Sequence, residues 1–193
     1  MADDSAAPPV TRPDDRARVE RLRSGDVSAF NAVYAEYHSR LYGFLLRLCR
    51  RHEIAVELLQ ETWLRLAAEA PDLRADTRLD AWLFTVARNL HRSHARWSIL
   101  DGSRLEELLQ WRKDDSDQRT PEASAAQDQE RRRLEAALAQ LPVKYREAVL
   151  LMGVEHFEPT EAAKVVGISP EAMRQRLSRG RQLLREKLGT GER

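Results

Sequence analysis

The sequence has one cysteine, no long apolar run and few aromatic residues, and each shortage excludes a class of protein. Cys49 is the single cysteine among 193 residues, which rules out an internal disulfide framework and favours a reducing compartment. The longest nearly apolar run, residues 148–154, is far shorter than the ~20 residues that span a bilayer. The first 15 residues hold four acids and three prolines without the apolar core of a signal peptide. We therefore expect a soluble, cytoplasmic protein, and 6% aromatic content favours helices over an aromatic-rich β-sandwich.

Motifs of catalysis are also lacking. The sequence contains no GxxxxGK[ST] phosphate loop and no Gly-x-Ser-x-Gly nucleophile elbow. His52 and Glu53 begin like a zinc-protease helix, but Val56 stands where the second histidine ligand belongs. His91 and His94 have helical spacing without a third ligand nearby, so two polar residues on a wet helix face are favoured over a metal site. We expect no catalytic residue, no metal and no cofactor.

Apolar periodicity predicts four helices in the first half of the chain. Residues 1–15 are interpreted as a flexible tail, followed by a short helix over 15–23 that ends at Ser24 and Gly25. Asp26 or Ser28 then caps a long helix. Its apolar positions form one stripe of period 3.6, made by Phe30, Val33, Tyr34, Tyr37, Leu41, Phe44, Leu45 and Leu48. Two more helices are predicted over about 53–70 and 77–97, and the four share one core in a domain over residues 16–97.

The composition changes after this domain. Residues 98–130 hold nine acidic and four basic side chains, a net charge of −5, and are interpreted as a flexible acidic linker with one short helix over 104–111. A second domain is predicted over 131–189, with helices over 131–141 and 145–154. The expected fold class is all-α, with two small helical domains joined by a flexible acidic linker. The net charge of +1, from 32 basic and 31 acidic residues, excludes neither DNA nor an acidic partner.

The run PTEAAKVVGISP at 159–170 predicts a helix, a tight turn and the start of another helix. Gly167 stands where a chain leaving a helix needs a positive φ, Ser169 is placed as an N-cap, and Pro170 suits the first helical position. Such a helix-turn-helix can insert the first turns of its second helix into the major groove of DNA. A solvated, salt-bridged surface helix is the alternative, and the chemistry of the turn favours DNA binding.

The last helix, predicted over about 170–188, presents side chains that can read bases or hold phosphates. Arginine can bind guanine with two hydrogen bonds, and glutamine can read adenine. The candidate DNA-binding residues on or near its outward side are Glu171, Ala172, Arg174, Gln175, Arg176, Ser178 and Arg179.

The fourth predicted helix carries a second basic footprint. Polar amides and cations beside aromatic residues can bind unstacked bases and follow a single-stranded backbone. The candidates here are Arg78, Arg88, Asn89, Arg92 and Arg96. Trp82 and Phe84 on the same helix are interpreted as core residues rather than as stacking platforms.

Several runs resemble bacterial sigma factors. DVSAF at 26–30, LLQETWLRL at 58–66 and AWLFTVARNL at 81–90 are similar to their first conserved domain, called region two. LPVKYRE at 141–147, with the helix-turn-helix after it, is similar to their C-terminal domain, called region four. The matches cover about residues 18–96 and 131–188 in the family's order, without the middle domain of larger sigma factors. This arrangement resembles the extracytoplasmic-function (ECF) subfamily.

The resemblance implies a function and a set of partners. A sigma factor is a non-catalytic subunit that directs RNA polymerase to promoters and helps to open them. The helix with the Leu-x-Gln-Glu pattern docks in this family on the clamp helices of the largest polymerase subunit. The residues that fall on or beside that pattern are Glu57, Gln60, Glu61, Trp63 and Leu64.

The other implied contacts are with DNA and regulatory protein. Asn89 matches a pocket residue for a flipped base of the melted −10 element, and the last helix resembles the reader of the −35 element. The acidic linker matches the segment that threads toward the polymerase active site. Region four is expected to meet the flap of the second subunit. An anti-sigma factor is the further expected partner.

Two other functions stay open from the sequence. A stand-alone helix-turn-helix regulator would bind duplex DNA by itself and would leave the Leu-x-Gln-Glu helix without a purpose. A helical adaptor that binds only protein would show no salt-dependent affinity for DNA.

Overall fold

The computed structural model describes residues 13–100 and 125–189, and all regular elements in these two stretches are helical. The expected all-α class is thereby confirmed. The helices are α1 (Pro13–Arg23), α2 (Val27–Cys49), α3 (His52–Glu69) with a 3-10 turn (Ala70–Asp72), α4 (Leu79–Leu100), α5 (Ala125–Ala139), α6 (Val143–Val149) continued by a π turn (Leu150–Val154), α7 (Pro159–Val166) and α8 (Pro170–Gly189). Within the described residues, no helix is long and apolar enough to cross a bilayer.

Helices extend into both segments that were interpreted as flexible. α1 begins at Pro13, because proline suits the first helical turn, and Asp15 is buried rather than part of a tail. α4 reaches Leu100, and α5 begins at Ala125 in a run of good helix formers, so both ends of the expected linker are helical. The rest of the tail, the middle of the linker and the short helix expected over 104–111 lie outside the described residues.

Local capping chemistry sets the ends of α2. Asp26 is the N-cap, and its Oδ1 accepts the backbone N–H groups of Ser28 at 2.8 Å and Ala29 at 3.2 Å. Hydrogen bonds from the Ser28 side chain and from Arg21 lower the pKa of Asp26 to about 2, so the cap is charged at neutral pH. At the other end, Arg50 takes the left-handed conformation with φ 62°.

The N-terminal helices α1–α4 share a core built around α2. Val33, Tyr37 and Leu41 are buried on it, and Phe44 meets Phe84 of α4 edge to face at 5.1 Å. The apolar stripe of period 3.6 is confirmed on this side of α2.

The C-terminal helices α5–α8 pack closely where α8 crosses α6. A β-carbon at Gly180 would lie 2.8 Å from Cγ2 of Val149 and 3.1 Å from the carbonyl oxygen of Tyr145. Glycine is therefore the residue that permits this approach. Met173 and Leu177 are buried on the same side of α8. The opposite side of α8 consequently faces solvent.

The two groups of helices pack directly against each other. Phe84 of α4 meets Phe157 edge to face at 5.3 Å, and a continuous cluster of buried apolar side chains spans both groups. Arg146 of α6 binds carbonyl oxygens on both sides of the contact, those of Leu138, Ala139 and Leu141 in its own group and those of Arg47 and Leu48 at the end of α2. Burial lowers the pKa of Arg146 to about 10, and the carbonyls replace the water that its guanidinium loses.

Candidate nucleic-acid interface

The turn between α7 and α8 is set by the residues that the sequence analysis singled out. Gly167 has φ 74° at the C-cap of α7. Ser169 Oγ accepts the backbone N–H of Ala172 at 3.2 Å, which makes Ser169 the N-cap of α8. Both predictions are confirmed. The first turns of α8 after this turn expose Glu171, Arg174 and Gln175, as a helix-turn-helix requires of its second helix.

The exposed side of α8 presents most of the predicted DNA-binding set. Met173 and Leu177 hold the opposite side against the core. Ala172 and Arg176 are half-buried at the edges. The exposed members are Glu171, Arg174, Gln175, Ser178 and Arg179, which we call the α8 face.

Side chains of the α8 face bond to neighbours one helical turn away. Glu171 accepts two hydrogen bonds from Arg174, the shorter at 2.8 Å, and one from Gln175 at 3.3 Å. These bonds lower the pKa of Glu171, with the Arg174 hydrogen bond as the largest cause. Arg179 donates to Gln182 at 2.8 Å. Such exposed pairs are weak, so a phosphate or a base edge can replace them at little cost.

The basic residues of α4 divide between two sides of the helix. Asn89, Arg92 and Arg96 are exposed on successive turns. Arg78 and Arg88 turn toward the C-terminal helices, where their side chains are 10% and 7% exposed. The structure thus brings three of the five predicted residues together on an open surface and covers the other two.

The two covered arginines have carboxylate partners. Arg88 donates to Glu147 of α6 at 2.9 Å and 3.5 Å, and both side chains are buried. Arg78 donates to Asp80 at 2.8 Å and forms an ion pair with Glu161 of α7. The sequence carries no signal for Glu147 and Glu161 as partners of these arginines, because contacts between residues so distant along the chain follow no periodic pattern.

His91, three residues after Arg88 on α4, is not placed on a wet face. Its side chain is buried, and its Nδ1 has no hydrogen-bond partner. Burial, followed by the charges of Arg146, His94 and Arg88, lowers the pKa of His91 to about 4. The expectation that His91 and His94 are two polar residues on a solvated face is therefore wrong for His91. Across residues 13–100 and 125–189 no cluster of three metal-ligating side chains occurs.

The predicted polymerase-binding residues lie along α3. Glu57, Gln60 and Leu64 are exposed on one side, and Leu64 is 65% exposed, an unusual position for leucine. Glu61 is half-buried and bonds to Arg65 at 3.2 Å. These four residues follow helical spacing and form a continuous strip, which we call the α3 strip.

Trp63 differs from the α3 strip because it is 7% exposed. It packs against Tyr34 at 4.8 Å and Phe30 at 6.1 Å, with the His38 ring parallel at 6.4 Å. Its indole N–H has no hydrogen-bond partner. Trp63 therefore packs between α3 and α2 and is not part of the exposed α3 strip.

Tyr34 is a candidate surface residue that the sequence analysis missed. The periodic stripe assigned it to the core, yet it is 40% exposed beside Trp63. A pattern of period 3.6 marks a broad face, and residues at its edge remain open to solvent.

In comparisons with known families and proteins, both halves of the chain match sigma factors. Residues 33–97 match the family "Sigma-70 region 2", and residues 131–184 match "Sigma-70, region 4". The RNA polymerase sigma factor CarQ of Myxococcus xanthus is 37% identical over 177 residues, which cover 89% of this chain and 95% of CarQ. The ECF RNA polymerase sigma factor EcfG of Rhodopseudomonas palustris is 32% identical over 149 residues, covering 75% of this chain and 76% of EcfG.

Solved structures have the same fold. The sigma factor RpoE of Bartonella quintana, solved with the anti-sigma factor NepR, has a TM-score of 0.64 at 26% identity and covers 85% of this chain and 98% of its own. CnrH, solved with the cytosolic domain of CnrY, has a TM-score of 0.68 at 22% identity, with coverage of 91% and 97%.

Proposed function

Because this chain belongs to the ECF sigma factors of RNA polymerase, we propose that it binds core polymerase, directs it to −35 and −10 promoter elements and promotes melting of the DNA. In this role it is a cytoplasmic, non-catalytic specificity subunit. We assign core and −10 binding to a domain over residues 16–97 and −35 binding to a domain over 131–189.

The observation that carries the −35 role is the α8 face. Its arginines and glutamine are exposed on the first turns of a capped helix after a tight turn. Arg174, Gln175 and Ser178 read base edges in the major groove, and Arg179 holds an adjacent phosphate. Glu171 holds the Arg174 guanidinium by hydrogen bonds before DNA arrives.

Single-stranded −10 DNA is captured by the open side of α4. Asn89 takes a flipped base, since its amide can donate and accept at a base edge. Arg92 and Arg96 follow the backbone next to it, on the same exposed side. Arg78 and Arg88 complete this set once Glu161 and Glu147 move away from them.

The α3 strip docks on the clamp helices of the largest polymerase subunit. Leu64 supplies an exposed apolar anchor, flanked by Glu57, Gln60 and Glu61 as polar contacts. Tyr34 extends the contact onto α2, and the layer around Trp63 keeps Leu64 in place. Region four meets the flap of the second subunit.

Two weak DNA contacts become strong when both are tethered to one polymerase, because the second contact is then intramolecular. An anti-sigma factor completes the proposed set of partners. Support for it comes from RpoE of Bartonella quintana, a relative of the same fold that was solved with one.

The test is transcription with sigma-free core polymerase. The purified chain is mixed with core polymerase and genomic DNA fragments, and the 5′ ends of the transcripts are mapped. Discrete starts that share a −35/−10 pair are expected. Duplex binding by the free chain, with no binding to core, would instead establish a stand-alone regulator.

Variants on that promoter separate the two DNA contacts. Arg174→Ala is expected to lower promoter binding about tenfold or more, since a bidentate base contact contributes ~1–3 kcal/mol. Asn89→Ala is expected to leave closed-complex binding close to wild type and to reduce permanganate-reactive thymines. A wild-type permanganate footprint with Asn89→Ala removes that residue from the −10 site.

A further inference from the structure

Trp97 lies near the end of α4, and its side chain is 71% exposed. The other two aromatic rings of this helix are inside the protein, since Phe84 is fully buried and Trp82 packs against the core. Tryptophan is usually buried over most of its surface, because removing its large ring from water is favourable. Packing in the core therefore does not explain the position of Trp97.

Trp97 shares one side of α4 with Asn89 and Arg96. An α-helix turns by about 100° per residue, so positions 89, 93, 96 and 97 fall within about 100° of its circumference. Arg96 donates to the Ser93 hydroxyl at 3.4 Å, one turn back along this side. From Asn89 to Trp97 the helix rises by about 12 Å along its axis. A strand with one base at Asn89 that follows α4 therefore reaches Trp97.

The charge beside Trp97 is positive. From residue 81 to residue 100, α4 contains arginines and histidines and no acidic residue. Arg92 and Arg96 are exposed, and in the part of the chain that the structure describes neither has a carboxylate partner. The two covered arginines of α4, in contrast, are paired with glutamates. The exposed indole therefore lies next to two cations whose charge is not neutralised.

Single-stranded DNA has the chemistry that fits this surface. Its phosphates bind arginine, and its unpaired bases stack on aromatic rings, as in many proteins that bind single strands. Duplex DNA does not offer a free base face, because its bases are already stacked on each other. The Asn89 amide on the same side can donate to and accept from a base edge, a contact that the surface of a partner protein would not require.

We propose that Trp97 stacks on a second unpaired base of the strand whose first base binds at Asn89. Arg92 and Arg96 hold the phosphates between these two bases. None of the binding sets predicted from the sequence includes Trp97. That the strand is the melted −10 element rests on the proposed function; a stacking site for single-stranded DNA at the end of α4 does not.

Binding of the full chain to two single-stranded probes tests the stacking site without polymerase. One probe is a labelled oligo-dT, and the other is an oligonucleotide of the same length made of abasic units, which has the same phosphates and no bases. The wild-type chain is expected to bind the oligo-dT about fivefold more tightly or better, which is the size of one stacking contact. Equal affinity for the two probes would overturn the proposal.

Substitutions of Trp97 separate stacking from apolar contact. Because the side chain is mostly in solvent, a smaller residue leaves no cavity in the core. Trp97→Phe retains a flat ring and is expected to keep most of the preference for oligo-dT. Trp97→Leu retains apolar area without a ring and is expected to lose that preference. A Trp97→Leu chain with the wild-type preference would overturn the stacking role.

Arg96→Gln is the matched variant for the phosphate contact next to the ring. It is expected to weaken binding to both probes by the same factor and to reduce the slope of log affinity against log salt by about 0.7. Trp97→Leu is expected to keep the wild-type slope, since it removes no charge. A reduced slope with Trp97→Leu would mean that the indole acts through the phosphate contacts and would overturn stacking on a base.

Fluorescence identifies which tryptophan the base contacts. The chain has four tryptophans, and a stacked base quenches the emission of the indole next to it. Oligo-dT is expected to quench the emission of the wild-type chain more than that of Trp97→Phe, although both bind the probe. Quenching of equal size in the two chains would assign the stacked ring to another tryptophan and overturn the proposal.

Permanganate footprinting with core polymerase tests whether the strand is the −10 element. On a promoter mapped with the wild-type chain, Trp97→Leu is expected to reduce the reactive thymines several-fold and Trp97→Phe to retain them. Wild-type reactivity with Trp97→Leu would overturn the link to the −10 element. Failure of the wild-type chain to start transcription would contradict the proposed function instead, and the two probes decide the stacking site independently of it.

Discussion

Helices α4 and α8 both carry arginines, but the arginines differ in exposure and in the distance along the chain to their partners. On α8, Arg174 and Arg179 are exposed and bond to residues three positions away. On α4, Arg88 is buried against Glu147, which lies 59 positions along the chain. The guanidinium groups of Arg174 and Arg179 are open to a ligand from solvent, whereas that of Arg88 is covered by the C-terminal helices.

The difference teaches that a basic helix is not by itself an available binding site. An exposed pair within one helix contributes at most ~0.5 kcal/mol and yields to a phosphate. A buried pair costs several kcal/mol to break if one partner stays behind without solvent. Availability of the α4 arginines therefore depends on the packing of the whole chain.

The largest expected effect is the difference in stability between a variant of the buried Arg88 and a variant of the exposed Arg174. Arg88→Gln leaves the Glu147 carboxylate buried without its partner, so the packed state is destabilised by about 3 kcal/mol or more. Either the free energy of unfolding falls or the radius of gyration rises as the groups separate. Arg174→Gln is expected to change the unfolding free energy by less than ~0.5 kcal/mol. Equal responses of the two variants in urea unfolding and solution scattering would show that Arg88 is no more tightly held than Arg174.

The second largest expected effect is a loss of stability at low pH, through the buried His91. The pKa of His91 is lowered from 6.5 to about 4, so the unfolded chain binds more protons between these values. Above about pH 6.5 His91 is neutral in both the folded and the unfolded chain and does not reduce the free energy of unfolding. As the pH falls from 6.5 toward 4, that free energy decreases by up to ~3 kcal/mol.

The control for this pH dependence is His91→Leu. Unfolding free energies measured from pH 7 to 4 should fall more steeply for wild type than for the variant. Parallel pH profiles would show that His91 is not held neutral by the packing. The α8 face contains no comparable buried base, so Arg174→Gln should keep the wild-type profile.

The placement of α8 depends on Gly180. Gly180→Ala brings a β-carbon to 2.8 Å from Val149 and 3.1 Å from the Tyr145 carbonyl, and we expect a net loss of ~1–2 kcal/mol after the gain in helix propensity. Promoter binding should weaken as well, since the α8 face shifts with its helix. Adding Val149→Ala should restore only part of the stability, because the carbonyl contact remains. A stabilised Gly180→Ala protein in urea unfolding would contradict the close crossing.

The smallest expected effect is at the cap of α8. Ser169→Ala removes the acceptor for the Ala172 N–H and should cost ~1 kcal/mol, whereas Ser169→Asp should retain most of the stability. Urea midpoints of the two variants measure the difference. Identical midpoints would mean that the α8 face is positioned by packing alone.

Local rules predicted most of the helices and the turn. Asp26 at the start of α2, Gly167 after α7 and Ser169 before α8 act on backbone groups within three residues, so their effect is visible in the sequence. The described helix ends fall within a few residues of the predicted ones, apart from the start of α5. The α8 face followed from the same rules, because its exposed side is opposite the periodic residues Met173 and Leu177.

Tertiary packing decided what each helix face meets. Trp63 was expected at the polymerase contact but is buried beneath the α3 strip, while Tyr34 was expected in the core but is 40% exposed. Periodicity gives the direction of a side chain around its own helix axis and carries no information about the neighbouring helix.

The sequence by itself determined an all-α sigma factor with a helix-turn-helix, because those features depend on residues close together along the chain. The covering of Arg78 and Arg88 was decided by tertiary structure alone. Their partners Glu161 and Glu147 belong to the other helix group, and Arg40 meets Glu155 across 115 positions. Ion pairs of this kind have no spacing rule, since the path of the whole chain brings the charges together.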